Sequence, residues 1–206
     1  MPMNKDSKIR RCNVKWRSNV LGFSLLELII VVSVMAIATA MAVPVLVNAR
    51  RGYQLRTATV DLASLLQRSR NIAIQSNRAI PVVTAVGNTQ VFLDLNLNGA
   101  LDVGEPMVQL PPNIVQTNVN PPAIGAPAPL GFTAPVNPPA RFSGRGMPCV
   151  LVGAICTNYP AGGAEVGFVY YLNQNINGIQ RWSAVSVTPA GQVKTWSLTN
   201  AVWTNI

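Results

Sequence analysis

The feature that most constrains this chain is an uncharged apolar run near its N-terminus. Residues 28–49, LIIVVSVMAIATAMAVPVLVNA, contain no Asp, Glu, Lys or Arg. At a rise of about 1.5 Å per residue, about twenty helical residues cross the ~30 Å hydrocarbon layer of a bilayer. The run therefore predicts a membrane-spanning helix. The six basic residues in 1–22 predict a cytoplasmic N-terminus, and Arg50 and Arg51 end the run on the far side.

Several kinds of targeting segment share this pattern. A plain signal anchor would keep its basic leader, whereas a secretory signal peptide would be cut after Ala42, where small residues alternate. Arg10-Arg11 suggests a twin-arginine signal, but Asn13 stands where that signal needs an apolar residue. None of these segments explains Glu27, because a carboxylate at the start of an apolar run carries an energetic cost.

The junction between the leader and the apolar run accounts for that carboxylate. Gly22-Phe23-Ser24-Leu25-Leu26-Glu27 resembles the N-terminal signal of type IV pilins. The resemblance implies that a prepilin peptidase cuts after Gly22, that the new N-terminal Phe23 is N-methylated, and that Glu27 pairs with the amine of a neighbouring subunit. Residues four apart share one helix face, so Phe23 and Glu27 fall on the same side. The resemblance also implies a single pass through the inner membrane and a periplasmic C-terminal domain.

Composition narrows the chemistry of the chain. Its 206 residues include no histidine, which excludes Ser-His-Asp and Cys-His nucleophiles and histidine metal sites. We therefore expect no enzyme activity. The formal net charge is +9, but six of the sixteen basic residues lie in the leader, so charge alone is weak evidence for nucleic-acid binding.

Two cysteines remain once the leader is removed. Cys12 lies in the leader, whereas Cys149 and Cys156 lie far downstream. An even pair in an oxidising compartment favours a disulfide, and two buried thiols are the alternative. Zinc is disfavoured, because two cysteines without histidine cannot complete a four-ligand site.

The rest of the chain predicts an α+β fold, with a long N-terminal helix packed on an antiparallel β-sheet head. In residues 50–77, apolar or small side chains recur at spacings of three and four, which indicates an amphipathic helix. Short β-prone runs then predict strands at Ile80–Val86, Thr89–Leu95, Gly167–Leu172, Arg181–Val187 and Gln192–Leu198. Turns are predicted at Asn88, Asn173–Gly178 and Pro189–Gly191.

Nine prolines in residues 111–139 predict a long extended loop, and residues 140–166 contain few strand candidates. The predicted domains are a cleaved leader (1–22), a membrane and filament-core helix (23–49) and a periplasmic head (50–206).

Four later segments resemble one group of pilin-like proteins, the GspH/FimT minor pseudopilins. They are residues 61–82, 91–110, 141–148 and 186–198. The resemblance implies a structural subunit of a type IV pilus or a type II secretion pseudopilus, involved in filament initiation or tip assembly with other major and minor pilins. The alternative is a DNA-binding minor pilin for natural transformation, which would use Arg181 and Lys194. The family's Gly-Arg-x-Arg pattern reads Gly191-Gln192-Val193-Lys194 here, so both arginine positions differ.

One loop carries metal-binding chemistry in its sequence. Residues 94–105, DLNLNGALDVGE, match the calcium-loop pattern of EF-hands. The ligands would be Asp94, Asn96, Asn98, the Ala100 carbonyl, Asp102 and Glu105. A strand precedes this loop and Pro106 follows it, where an EF-hand has helices, so a polar hairpin loop is the alternative. Calcium is the one cofactor that the sequence suggests.

Overall fold

The computed structural model of the chain describes residues 24–121, 124–127, 132, 135–136, 139–153, 155–158, 165–176 and 178–206. Helix α1 spans Leu25–Ser76. The strands that follow are β1 (Ile80–Thr84), β2 (Gln90–Leu93), β3 (Met107–Gln109), β4 (Ile114–Thr117), β5 (Pro135–Val136), β6 (Ala140–Phe142), β7 (Pro148–Val152), β8 (Ile155–Thr157), β9 (Gly167–Ile176), β10 (Ile179–Val187), β11 (Val193–Thr199) and β12 (Val202–Asn205). The predicted α+β class is confirmed, with one long N-terminal helix and antiparallel sheets.

The chain divides into two compact units at the boundary between Leu46 and Val47. In the first unit, the described residues form the start of α1, and its large apolar side chains are more than two-fifths exposed, from Val31 at 44% to Leu25 at 76%. Apolar residues surround this part of the helix on all sides, as expected of a helix whose environment is lipid. The domain limits given above stay a prediction.

The second unit contains two six-stranded sheets. One has the order β3-β2-β1-β6-β7-β8, and the other has the order β12-β11-β10-β9-β4, with β5 beside β9. Among the described residues, every strand pair is antiparallel except β5 with β9. Neighbours in sequence form most of these pairs, which is the connectivity that short loops permit.

One hydrophobic cluster joins the second part of α1 to both sheets. From the helix it contains Leu62 and Leu66, from the first sheet Phe142, and from the second sheet Phe168 and Leu172, all fully buried. The predicted amphipathic face is therefore the packed one. Burying side chains of this size contributes about 1.5–3 kcal/mol each to folding.

The Tyr170 hydroxyl links the two sheets inside the core. This side chain belongs to β9, but its oxygen donates to the Val82 carbonyl at 3.0 Å and accepts from the Ala140 amide at 2.9 Å. Burial raises the pKa of Tyr170 above its ordinary value, so the phenol stays protonated and can keep donating. Val82 and Ala140 are opposite each other at the end of the β1–β6 pairing, so the Tyr170 hydroxyl bonds to both strands at this point.

Two predictions about the β region are wrong, and one region that the sequence left open contains strands. Residues 111–139 are not all loop, because β4 lies within them and Ile114 is fully buried. Asn173 does not begin a turn, since β9 continues to Ile176 between its partners β4 and β10. Residues 140–166 contain the strands β6, β7 and β8, although the sequence offered few candidates there. The five predicted strands are confirmed, each within a few residues of its predicted limits.

Candidate functional site

The first candidate site is the start of α1, where the sequence predicts a processing and assembly signal. Gly22 and Phe23 lie outside the described residues. The first helical hydrogen bond runs from the Leu28 amide to the Ser24 carbonyl at 3.1 Å. Glu27 lies in the first helical turn, where the helix dipole favours a negative charge. Its side chain is exposed and has no hydrogen bond or ion pair within the described part of the chain.

Two hydroxyl side chains inside the apolar stretch bond to the backbone of the helix itself. The Ser33 hydroxyl donates to the Ile29 carbonyl at 2.8 Å, and the Thr39 hydroxyl donates to the Met35 carbonyl at 3.0 Å. Such bonds to the preceding turn let hydroxyl side chains lie in hydrocarbon without an unpaired donor. By length and composition, α1 can cross a membrane. Glu27 is the one charged side chain between Leu25 and Ala49.

The second candidate site is the loop 94–105 between β2 and β3. Asp94 is buried, and its carboxylate accepts from the Asn98 amide at 3.1 Å and from the Gly99 amide at 2.8 Å. Glu105 closes the loop from the other end, because its two oxygens accept from the Leu95 amide at 2.7 Å and the Asp102 amide at 3.1 Å. The loop is therefore held by its own carboxylates.

The remaining predicted calcium ligands also bond within the loop. The side-chain amides of Asn96 and Asn98 both donate to Asp102 at 2.6 Å, so their nitrogens, not their oxygens, face that carboxylate. The Asn98 oxygen accepts from the Ala100 amide at 2.8 Å. Within the described ranges, no group of three or more His, Cys, Asp or Glu side chains is arranged to hold a metal ion. Calcium binding by this loop stays a prediction.

The predicted disulfide is present. Cys149 on β7 and Cys156 on β8 are joined, with their Cα atoms 5.4 Å apart. The two strands form a hairpin in which Leu151 pairs with Cys156. Cys149 is fully buried, so the bridge links the two strands of the hairpin at a buried position. The proline-rich segment before this hairpin is only partly within the described residues.

Comparison with known protein families decides the class of the chain. Residues 17–43 match the prokaryotic N-terminal methylation motif, and residues 58–191 match the model of the type II transport protein GspH. The chain belongs to the GspH family. No curated protein matches it, and no solved structure matches it. It is thus a pseudopilin or minor pilin of a type II secretion system or a type IV pilus, and its motif implies processing by a prepilin peptidase.

In this GspH-family chain, Gly191 of the predicted DNA-binding pattern has a packing role. Gly146 and Gly191 have φ angles of +74° and +78°, which favour glycine. A Cβ on Gly191 would lie 2.4 Å from the Gly146 carbonyl oxygen and 3.2 Å from Arg70 Nε. Two turns, one after β6 and one after β10, therefore pack against each other over Arg70 of α1. Sequence reasoning missed this junction, although a glycine in each of two turn segments was its signal.

The structure does not bring Arg181 and Lys194 together. In an antiparallel pair, side chains of directly opposed residues lie on the same face. Arg181 is opposite Gln174, and Ser183 on that same face bonds to Thr59 of α1, so Arg181 faces the helix. Lys194 is opposite Ser186, which bonds to Trp196 on the other face. The two cations of the GspH-family head thus lie on opposite faces of one sheet.

The tryptophans of the GspH-family head also pack within the protein. Trp196 is buried in a second cluster with Val169, Tyr171 and Ala184, and Trp182 and Trp203 pack against it. The Trp203 indole donates to the Gly125 carbonyl at 3.2 Å. These rings are engaged with one another and with the backbone, so they are not arranged as a row of free stacking surfaces.

Proposed function

We propose that this protein is a minor structural subunit that helps to initiate a filament or to form its tip. Membership of the GspH family supports the class, and the exposed apolar part of α1 supports assembly by helix packing. That stretch is the observation that carries the proposal. Apolar side chains exposed all round a helix need lipid before assembly and other helices after it.

Glu27 is the group that we propose directs assembly. A carboxylate in an otherwise uncharged stretch is costly in lipid and is usually paired. After cleavage behind Gly22, the N-methylated Phe23 of a neighbouring subunit would supply an ammonium for it. Pairing of this carboxylate with the ammonium of a neighbouring subunit lowers the cost of the charge in lipid. The pair therefore favours a subunit that lies next to another pilin over one that is isolated in the membrane.

We also propose that the protein has no catalytic role. The chain has no histidine, and most carboxylates of the described head are engaged in the loop 94–105. The remaining exposed carboxylate of the head helix, Asp61, has no neighbouring carboxylate among the residues that line its cleft. The proposed location is the inner membrane, with the head in the periplasm until the subunit joins a pilus or pseudopilus.

The decisive test is the N-terminus of the protein extracted from membranes. We expect a chain that starts at N-methylated Phe23 in cells with prepilin peptidase, and one that starts at Met1 in cells without it. A chain that starts at Val43 in the first cells, or one still at Met1, would contradict the proposal. Glu27→Gln should lower incorporation into filaments, whereas the matched variant Asp61→Asn, which lies on the same helix within the head, should incorporate normally.

The minor role is tested by abundance and by filament number. Quantitative mass spectrometry of purified filaments should find this subunit far below the major pilin. Deletion should reduce the number of filaments, whereas those that remain should keep their normal length and diameter. Equal abundance with the major subunit would instead indicate a main building block.

A further inference from the structure

A basic cleft lies in the head between α1 and the second sheet. It has a volume of about 570 Å³ and opens between the helix at Gly52–Thr59 and the ends of β10 and β11. Its floor includes a bond of 2.7 Å between the buried Thr59 and Ser183 hydroxyls. Cavities of this size accommodate small molecules or headgroups, and a few convergent polar groups then set the specificity.

The charged groups of this cleft are Arg56 and Arg181. No Asp or Glu side chain lies among the described residues that line it. Neither arginine has an ion pair or hydrogen bond within the described part of the chain. The Arg181 guanidinium instead lies against the helix, since a Cβ on Gly52 would be 3.6 Å from its Nη1 atom. Two unpaired guanidinium groups in one cleft favour an anion, and their planar donors suit phosphate.

A second, independent observation lies on the other side of Arg181. Arg51, Arg181 and Gln174 line a small recess of about 20 Å³, room for a single oxygen-sized group. Gln174 is opposite Arg181 in the strand pairing and is only 1% exposed. Neither its amide nitrogen nor its amide oxygen has a partner among the described residues. Buried amides are normally bonded, so the Gln174 amide can still bond to a group held in this recess.

The position of these groups in the sequence indicates where the anion comes from. The apolar run ends at Ala49, and Arg51 and Arg56 follow by about 3 Å and about 10 Å along a helix. The headgroup layer adds about 5–8 Å on each side of the hydrocarbon, so these residues fall at the level of the phosphates and just beyond. Arginines on a translocated side are disfavoured by the positive-inside rule, so a phosphate partner gives a reason for them.

We propose that this cleft binds the phosphate of an anionic phospholipid headgroup from the leaflet next to the head. Arg56 and Arg181 would hold the phosphate, with Arg51 and Gln174 donating to one of its oxygens. Leu55 on α1 adds an apolar side chain to the wall of the cleft for the glycerol and the first acyl carbons. The proposal rests on the membrane orientation of the proposed function. A nucleic-acid phosphate is disfavoured, because Lys194 lies on the opposite face of the sheet.

The test uses the full chain, Met1 to Ile206, purified in an uncharged detergent. Native mass spectrometry would follow retention of phosphatidylglycerol, phosphatidylcholine and inorganic phosphate, and a thymidine oligonucleotide would be added as competitor. We expect phosphatidylglycerol to bind about tenfold more tightly than phosphatidylcholine, because both lipids offer a phosphate but only phosphatidylcholine would place a cationic choline group beside Arg56 and Arg181. Inorganic phosphate should compete only weakly, since it lacks the apolar part.

Matched variants decide whether the cleft is the site. The double change Arg56→Gln with Arg181→Gln should weaken phosphatidylglycerol binding by about tenfold or more, whereas Arg145→Gln, an exposed arginine after β6, should bind as wild type. Gln174→Leu keeps a side chain of similar size without donors, so it should also weaken binding, and it covers the case in which the double variant fails to fold.

Three results would overturn the proposal. They are equal binding of both lipids, equal loss in the Arg145→Gln control, and displacement of the lipid by the oligonucleotide. Because the unprocessed chain is used, these results do not depend on whether cleavage after Gly22 takes place. Failure of the lipid proposal and failure of the pilin proposal are therefore distinguishable.

Discussion

The two parts of helix α1 meet different surroundings, although they form one continuous element. From Leu25 to Val47 the large apolar side chains are exposed, whereas Leu62 and Leu66 are fully buried. The first part is apolar on every face, and the second has apolar residues on one face only. The comparison shows that periodicity, not apolar content alone, tells which part of a helix is completed by its own chain and which part needs lipid or a neighbour.

The largest expected effect separates the two parts directly. Leu66→Ala should lower the free energy of unfolding of the head by about 2–5 kcal/mol, because it opens a cavity in the common core. Its matched control is Ile30→Ala, which removes an apolar side chain that is 55% exposed and should leave head stability unchanged. Urea unfolding followed by tryptophan fluorescence measures both. Equal losses would mean that the first part of α1 also packs within the chain.

The next effect concerns the buried hydrogen bonds that the Tyr170 hydroxyl makes between the two sheets of the head. Tyr170→Phe should cost about 1–3 kcal/mol, because the Val82 carbonyl and the Ala140 amide lose their buried partner. Unfolding in urea at neutral pH measures this loss. A neutral result would mean that water replaces the hydroxyl between the two sheets.

The same residue predicts how stability depends on pH. Burial raises the pKa of Tyr170 from its ordinary 10.0, and burial raises the pKa of Tyr171 to about 12. Since the folded state keeps these protons longer than the unfolded state, the stabilisation is complete below pH 10 and is lost as the pH rises from 10 towards 12. Melting temperatures across this range should fall, and the fall should be shallower in Tyr170→Phe. An unchanged slope would contradict the assignment to Tyr170.

A smaller effect is expected at Gly52, in the stretch where the apolar run gives way to the amphipathic face. Glycine within a helix is about 1 kcal/mol less favourable than alanine. The added Cβ of Gly52→Ala would make an ordinary contact of 3.6 Å with Arg181. The variant should therefore be as stable as wild type or slightly more stable in thermal unfolding. A clear loss would mean that the glycine serves a closer contact than the described residues show.

The sequence predicted elements whose signal is local. Spacings of three and four in residues 50–77 give the buried face of α1, and β-branched runs give β1, β9 and β10, because both patterns record which side chains face a core. The cysteine count predicted the bridge between Cys149 and Cys156 for a similar reason. Strand β4 was missed because prolines surround four residues, Ile114–Thr117, that are themselves strand formers.

Features that depend on partners far away in the sequence could not be predicted from local sequence patterns. Asn173 and Gln174 favour turns locally, but β4 and β10 pair with them on both sides and extend β9. Tyr170 bonds to residues 30 and 88 positions away. Arg181 and Lys194 are thirteen residues apart in the sequence, and only the strand register shows that they lie on opposite faces.

The smallest expected effect tests whether the head is complete without a metal ion. The carboxylates of Asp94 and Glu105 accept backbone amides at both ends of the loop, and the amide nitrogens of Asn96 and Asn98 face Asp102. Removing calcium with a chelator should therefore leave the melting temperature unchanged, whereas Asp94→Ala should lower it with or without calcium. A rise in melting temperature on adding calcium, absent from Asp94→Ala, would mean that the asparagine oxygens turn inward to bind the ion. The head would then resemble the first part of α1 in needing a component from outside the chain.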